Sequence, residues 1–297
     1  MRIVITGGTG FLGRRLCRAL LAEGHELAVL SRRPAEVPRL CGAAAEPLAG
    51  LAAWRPERRV DAVVNLAGAP VFDARWTTAR KAELWASRVD FTRALVEHLT
   101  RLPAPPALLV SGSAVGYYGD RGDEAVTEAC GASDDFLGRL CAAWEAEALK
   151  ASPLGLRVVL LRTGLVLHPA GGALTRMLPA FRLGLGARLG NGRQWMSWIH
   201  ADDWTALTQR VLADPQAQGA FNLTAPEPVT NRAFTAALAA ALRRPACLAA
   251  PAWLLRPLLG ARAALLLDSL RALPARGEAL GYRFSHPALA EALRSLL

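Results

Sequence analysis

The chain has 297 residues, 52% of them hydrophobic, with 35 Lys+Arg against 25 Asp+Glu and a formal charge of +10. That length supports one large core or a main domain with a smaller one. The arginines are scattered without a basic run or interleaved aromatics, which argues against a nucleic-acid partner. The five cysteines show no CxxC or metal spacing, which argues against a disulfide framework or metal centre and for a reducing, cytoplasmic compartment.

Arg2 to Thr6 is a β-branched apolar run of the kind a buried parallel strand needs. TGGTGFLG follows, with Gly7, Gly10 and Gly13 three residues apart. Leu12, Leu16, Ala19 and Leu20 then recur at helical spacing up to Gly24, and Glu26 to Leu30 is a second apolar run. This is one βαβ unit opening on a glycine turn: Gly7 allows the sharp turn, Gly10 lets a pyrophosphate approach the backbone, and Gly13 lets the helix lie close to the sheet. The residues Thr6, Gly7, Gly8, Thr9, Gly10, Phe11, Leu12 and Gly13 therefore form an expected dinucleotide cradle at a helix N-terminus. No leader peptide is expected, because the first strand begins at once.

The end of the second strand sets which dinucleotide is expected. An NAD site has Asp or Glu there; this chain has Ser31, Arg32 and Arg33, whose guanidiniums suit a 2′-phosphate. The expected cofactor is NADP(H). Residues 34–60 read as a variable connection with one short helix, and Val60 to Leu66 as the next strand. The small residues of Asn65-Leu66-Ala67-Gly68-Ala69 suit a cofactor lying across the sheet edge. Thr77 to Leu99 has helical periodicity, and Ala107 to Ser111 is a strand that delivers the polar loop Gly112–Gly131. Asp134 to Lys150 reads as a helix and Leu156 to Leu161 as a strand ending in Arg162-Thr163-Gly164. Glycines break up 168–195. Met196 to His200 reads as a short strand, Ala201 to Ala213 as a helix, Gly219 to Leu223 as the last strong strand, and 231–242 and 262–271 as helices. The apolar stretch Ala246–Leu267 is interrupted by Pro251, Arg256, Pro257 and Arg262, so neither a membrane span nor a membrane partner is expected.

With TGGTGFLG at 6–13, NLAG at 65–68, SGSAVGYYGD at 111–120 and LRTGLVL at 161–167, the chain resembles the extended short-chain dehydrogenase/reductase superfamily, sugar-nucleotide epimerase branch. RW at 75–76, SR at 87–88, LGNGRQWMSWIHADD at 189–203, FNLTAPEPVTN at 221–231 and a tail around Pro274, Gly281 and Pro287 narrow the likeness to its "epimerase family" group, which carries a C-terminal domain of unknown function. The resemblance implies an α/β fold: a Rossmann-type doubly wound parallel sheet over 1–166 plus the strand near 219–225. A smaller, mostly helical substrate-side region would span 167–218 and 226–297. It places Ser31 and Arg32 at the adenine-ribose phosphate, Leu66 and Ala67 along the cofactor, and Glu83 and Arg88 facing its cleft. Arg162 to Val166, including Thr163 and Gly164, would line the nicotinamide end. An NADP-dependent oxidoreductase or epimerase acting on a small hydroxyl or carbonyl substrate, nucleotide-sugar-like in kind, is the function implied.

The superfamily's acid–base pair is missing. Counted against Glu145, its tyrosine position holds Leu137 and its lysine position Cys141, while Ser113 stands where the family's hydroxyl belongs. The loop tyrosines Tyr117 and Tyr118 are candidate replacements, or stack on substrate, or pack in the loop; His200 is a further acid–base candidate or a structural hydrogen-bonder. Gln194, Trp195, Ser197 and Trp198 read as a substrate wall or as the filling of an interdomain seam. Ligands of open α/β sheets bind at strand C-termini, so the nicotinamide ring is expected near the strands ending at Ser111 and Arg162. The absent pair keeps a second function open, a dinucleotide-binding regulatory or scaffold protein, for which cell-division-linked names of some relatives are an analogy.

Overall fold

Seven apolar runs assemble into one parallel sheet in the computed structural model, which describes residues 1–54 and 59–297. They are β1 (Arg2–Thr6), β2 (Glu26–Leu30), β3 (Glu46–Leu48), β4 (Ala62–Asn65), β5 (Leu108–Ala114), β6 (Arg157–Thr163) and β7 (Gly219–Leu223). The order is β7-β6-β5-β4-β1-β2-β3, with every pairing parallel. The chain runs outward from β1 to β3 and resumes on the other side at β4. The crevice at the C-terminal ends of β1 and β4 is therefore the topological switch point, where such sheets bind ligands.

The flanking helices are α1 (Phe11–Ala22), α2 (Thr78–Trp85), α3 (Phe91–Thr100), α4 (Phe136–Leu149), α5 (Gly172–Arg182), α6 (Ala201–Ala213), α7 (Asn231–Leu242), α8 (Ala252–Leu259) and α9 (Leu289–Leu296). On one face of the sheet Leu16 and Leu20 of α1 and Trp204, Leu207 and Val211 of α6 pack on Ile3, Ile5, Val29 and Val64. On the other, Leu95 and Leu99 of α3 and Ala148 of α4 pack on Val4, Val63, Leu109 and Val158. Covering both faces is what makes strands read as continuous apolar runs. A third cluster builds the cap above the crevice: Leu174, Leu178 and Phe181 of α5, Phe234 and Leu238 of α7, and Leu289 and Leu293 of α9 gather with Trp198.

Several expectations are corrected. Helix α6, read as part of the substrate-side region, belongs to the sheet core, because its apolar face meets the same strands as α1. The helix read over Thr77–Leu99 is α2 and α3 joined by a π-helical segment, Ala86–Asp90. The helix read over 262–271 stops at Leu267, and Arg271–Ala272 pairs instead with Ala125–Val126. Met196–His200 is two strands: Trp195–Met196 pairs with Val229–Thr230, and Trp198–His200 with Leu165–His168. The connection 34–60 contains the short helix Val37–Cys41 and also β3; its residues 55–58 lie outside the described residues. Among the described residues no helix is long and apolar enough to cross a membrane.

Candidate cofactor and active site

The glycine turn forms because β1 must pass directly into α1. Gly7 adopts φ +70°, and a Cβ there would stand 2.5 Å from the Leu66 carbonyl oxygen. The Gly10 N–H donates to the Gly7 carbonyl at 3.0 Å. Gly10 then begins α1 with no side chain capping its N–H groups, and its own missing Cβ faces only that carbonyl. An open helix N-terminus beside bare backbone fits a pyrophosphate. The cap closes on this turn: a Cβ on Gly171 would stand 2.1 Å from the Phe11 ring, while Leu12 packs into the core.

Beneath the turn lies a buried polar pin. The Thr6 hydroxyl donates to Asn65 Oδ1 at 2.6 Å, and Asn65 Nδ2 donates to Thr92 Oγ1 at 2.8 Å and Ser111 Oγ at 3.5 Å. Thr6 and Ser111 were expected to bind the cofactor; both are fully buried. Their side chains tie the strand ends together through Asn65.

At the end of β2, Ser31 is buried and its hydroxyl accepts the Arg33 N–H at 3.1 Å. Arg33 pairs with Glu36 at 3.3 Å, whereas Arg32 is exposed with no carboxylate in ion-pair reach among the described residues. The end of β2 thus presents one guanidinium that is unpaired among the described residues. Across the crevice, Ala67 and the exposed Gly68 leave β4, and a Cβ on Gly68 would stand 3.0 Å from the Arg88 guanidinium carbon. The π-helical segment aims Arg88 there, a use such segments often have. Arg88 donates to the Ala69 carbonyl at 2.9 Å and lies 5.4 Å over Trp144, and burial lowers its pKa. Glu83 is exposed and pairs with Arg80 at 2.5 Å.

The reacting end is organised by a carboxylate that sequence reasoning used only as a counting mark. Ser113 donates to Glu145 Oε1 at 2.6 Å, and Arg162 grips the same carboxylate at 2.8 Å through Nε and again through Nη2. Arg162 Nη1 donates to the Tyr118 hydroxyl at 2.9 Å, which in turn donates to Asn222 Oδ1 at 2.7 Å. Burial opposes the Arg162 charge, but Glu145 outweighs it and holds the guanidinium above its ordinary pKa. Glu145 is one of two carboxylates, with Glu147, on a largely apolar stretch of α4, and nothing in that pattern singles it out. Leu137 and Cys141 occupy the expected tyrosine and lysine positions; burial, reinforced by Glu145, pushes the Cys141 thiol up to about 12.

Tyr118 is not available to a substrate: it is fully buried, hydrogen-bonded at both sides, and burial pushes its phenol up to about 12 despite Arg162. Tyr117 is half-buried, with its ring 3.6 Å from the Arg162 guanidinium carbon. At the expected nicotinamide end, Arg162 and Val166 are buried, Thr163 Oγ1 accepts from Trp204 Nε1, and Gly164 packs against the Ser197 carbonyl. Thr163 and Gly164 are half-buried.

The expected substrate wall is the seam. Gln194 Nε2 donates to the Leu189 and Leu266 carbonyls, Ser197 Oγ donates to the Leu270 carbonyl and accepts the Ala272 N–H, and Trp198 Nε1 donates to the Glu227 carbonyl. All three residues are buried; Trp195, half-buried, bonds Asp123. His200 is also structural: its Nδ1 accepts the Asp202 N–H at 3.0 Å and caps α6. His200, Asp202 and His286 are close enough to suggest a cation site. However, His200 Nδ1 is already used by the cap, and Arg15 sits on Asp202 and 3.0 Å from His168.

Sequence reasoning also passed over a strap across the crevice mouth. Asp73 pairs with Arg176 of α5, the Phe72 carbonyl accepts from Arg262 at 3.0 Å, and Arg75 donates to the Leu258 carbonyl of α8 at 3.1 Å. The arginine of the RW pair thus ties sheet to cap, and its tryptophan braces the strap through the Val71 carbonyl at 2.8 Å.

Comparison with known proteins agrees with this geometry. The model of the NAD dependent epimerase/dehydratase family matches residues 3–224, and that of a domain of unknown function (DUF1731) matches residues 250–296. The chain is 41% identical over 302 residues to "Epimerase family protein Mb2239" of Mycobacterium bovis, covering 98% of this chain and 96% of that protein. It is 38% identical over 303 residues to "Epimerase family protein SDR39U1 homolog, chloroplastic" of Arabidopsis thaliana, covering 100% and 87%. Among solved structures, human epimerase family protein SDR39U1 (isoform2) with NADPH superposes with TM-score 0.88 at 33% identity, covering 100% of this chain and 99% of that one.

Proposed function

The chain belongs to the NAD dependent epimerase/dehydratase family, and from that premise we propose that it binds NADP(H) and acts on a small hydroxyl or carbonyl substrate as an oxidoreductase or epimerase-like enzyme. The observation that carries the cofactor is the end of β2, where Arg32 stands exposed and, among the described residues, unpaired, and where Ser31 takes the place of the acidic residue that holds a ribose 2′-hydroxyl in NAD sites. The human relative crystallised with NADPH supports the same reading. The turn Gly7–Gly13 would hold the pyrophosphate, Leu66, Ala67 and Gly68 would lie along the cofactor, and Arg88 would face its inner half. The five free cysteines suit a reducing, cytoplasmic compartment.

When bound, the cofactor supplies or accepts hydride. The chain's own proton chemistry is thin. Leu137 and Cys141 exchange no proton near neutral pH, and Tyr118 is enclosed. Tyr117 is left to carry a proton, with Ser113 orienting the reacting oxygen once it turns from Glu145. A tyrosine without a neighbouring lysine works slowly at neutral pH. A second reading, a dinucleotide-dependent regulator without catalysis, is favoured by that same engagement of Ser113 with Glu145. NADPH consumption across a carbonyl library separates the two, and Tyr117→Phe should lower any turnover found by at least roughly tenfold.

The cofactor is tested by fluorescence titration of NADPH and NADH. NADPH should bind more tightly. Arg32→Ala should weaken NADPH by on the order of 1.5–3 kcal/mol, the range of a charge-assisted phosphate contact, and leave NADH nearly unchanged. Equal affinities in the unmodified protein would refute the assignment.

A further inference from the structure

Two thiols lie under the glycine turn, and the cofactor reading uses neither. Cys17 stands on α1, and Cys41 closes the short helix Val37–Cys41; both are fully buried. The Cys41 thiol donates to the Gly8 carbonyl at 3.3 Å, and a Cβ on Gly8 would stand 3.3 Å from Cys17 Sγ. Both side chains belong to the same core cluster and stand against the same residue, Gly8. The pair therefore touches the pyrophosphate turn directly. Through the few residues Pro34–Cys41 it is also continuous with Ser31–Arg33, the segment that meets the 2′-phosphate.

Buried thiols are ordinarily inert. Here the neighbours make the two unequal. The neighbouring Cys17, with Arg14 and Arg18, lowers the Cys41 pKa against the effect of burial, while Cys41 and burial raise that of Cys17. Cys41 is thus suited to attack and Cys17 to hold its proton until the second step. Ala43 and Ala44, just beyond Cys41, are exposed, so opening this one short helix admits a small oxidant.

We propose that Cys17 and Cys41 are an oxidisable dithiol, a modification site that a hydroperoxide converts to a disulfide and that weakens NADP(H) binding when closed. The effect on the cofactor rests on the NADP(H) reading; formation of the disulfide does not. In the first step the Cys41 thiolate attacks hydrogen peroxide. An S–O bond forms, the O–O bond breaks, and the leaving hydroxide takes up a proton as water, which leaves Cys41 as a sulfenic acid. The Cys17 sulfur then attacks the Cys41 sulfur. The S–S bond forms, the S–O bond breaks, and hydroxide leaves as water with the Cys17 proton. Two thiols are oxidised and one peroxide is reduced to two waters. Closure removes the S–H that serves the Gly8 carbonyl and draws the Val37–Cys41 helix toward α1, which disturbs both phosphate contacts together.

The test treats the full chain with hydrogen peroxide, alkylates the remaining thiols, maps the cysteines by mass spectrometry, and titrates NADPH before oxidation, after it, and after dithiothreitol. The expected result is a cross-linked Cys17–Cys41 peptide and NADPH binding weakened by at least about fivefold, the lower end of ordinary site-to-site coupling, with recovery on reduction. In Cys17→Ser, which lacks the resolving sulfur, dimedone should trap a sulfenic acid at Cys41. Both thiols recovered alkylated under treatment that oxidises the exposed Cys247 would overturn the proposal. A disulfide that leaves NADPH affinity within about twofold would overturn the link to the cofactor. A chain that binds no NADPH in either redox state would count against the cofactor reading, while the peptide map would still decide the dithiol.

Discussion

Arg162 carries a full charge at 5% exposure, and a single carboxylate balances it. Glu145 is as deeply placed, so the pair has little solvent screening, and two further side chains depend on it: Ser113 through the carboxylate and Tyr118 through the guanidinium. Replacing both ions with apolar groups could be nearly neutral, but removing one strands the other. Glu145→Gln keeps the volume and one acceptor while removing the charge. It should lower stability by about 3–5 kcal/mol in urea unfolding, the usual range for breaking a buried pair. A loss below about 1 kcal/mol would mean that the Arg162 charge is balanced by something else. The same geometry explains why Tyr118 cannot be the missing base: its hydroxyl is one link in a closed chain from Ser113 to Asn222.

The opening βαβ element is where a glycine substitution separates propensity from packing. In a free helix Gly13→Ala should gain stability by about 1 kcal/mol. Here the added Cβ would stand 2.3 Å from the Gly7 carbonyl oxygen and 2.6 Å from Gly8 Cα, so α1 would have to lift from the turn. Overpacking of this kind costs about 1–3 kcal/mol, and a net loss of stability together with lost NADPH affinity is expected; a stabilised variant that still binds would disprove the close-approach argument. This element was legible because its determinants are local: strand, glycine spacing and helix follow one another within residues 2–30. The seam was not. Gln194 and Ser197 look like free polar groups until Leu266 and Leu270, 72 and 73 residues further on, supply the carbonyls that occupy them. Spacing rules register neighbours on one element, and these partners come from the returning tail. Glu145 on α4 escaped for a similar reason, since its partner Arg162 sits on another element, β6.

At the scale of the molecule, the C-terminal tail holds cap to sheet by docking on the N-terminus of α6. Asp203, 1% exposed, accepts the Tyr282 hydroxyl at 2.9 Å and the Ser285 and His286 N–H groups at 2.7 and 2.9 Å. His200 stacks on His286 with ring centroids 3.9 Å apart, and its Nε2 lies 3.4 Å from Ser295 Oγ on α9. Burial, then His286, and to a lesser degree Arg15 lower the His200 pKa against the pull of Asp202 and Asp203; burial and Arg15 lower that of His168 beside it. A histidine whose folded pKa is depressed takes up its proton first in the unfolded or undocked state. Its contribution is therefore complete above the unfolded value of about 6.5 and is lost as pH falls below it. Asp268 works in the opposite sense. Burial, then Asp120 and Asp135, push it up to about 6, so its contribution is present in acid and is lost as pH rises through about 6. Acidification from pH 7 to about 5.5 should therefore loosen the tail before the sheet, because the titrating imidazoles lie at the tail's docking site. Hydrogen exchange at Ser285, His286 and α9 reads this directly, with β1 and β4 as the internal reference. His200→Asn retains a good helix cap and removes one titrating ring, so its tail should loosen less than that of the unmodified chain over the same pH step. If the unmodified chain shows no acid loosening, or if His200→Asn loosens to the same extent, the tail is not held by a neutral His200.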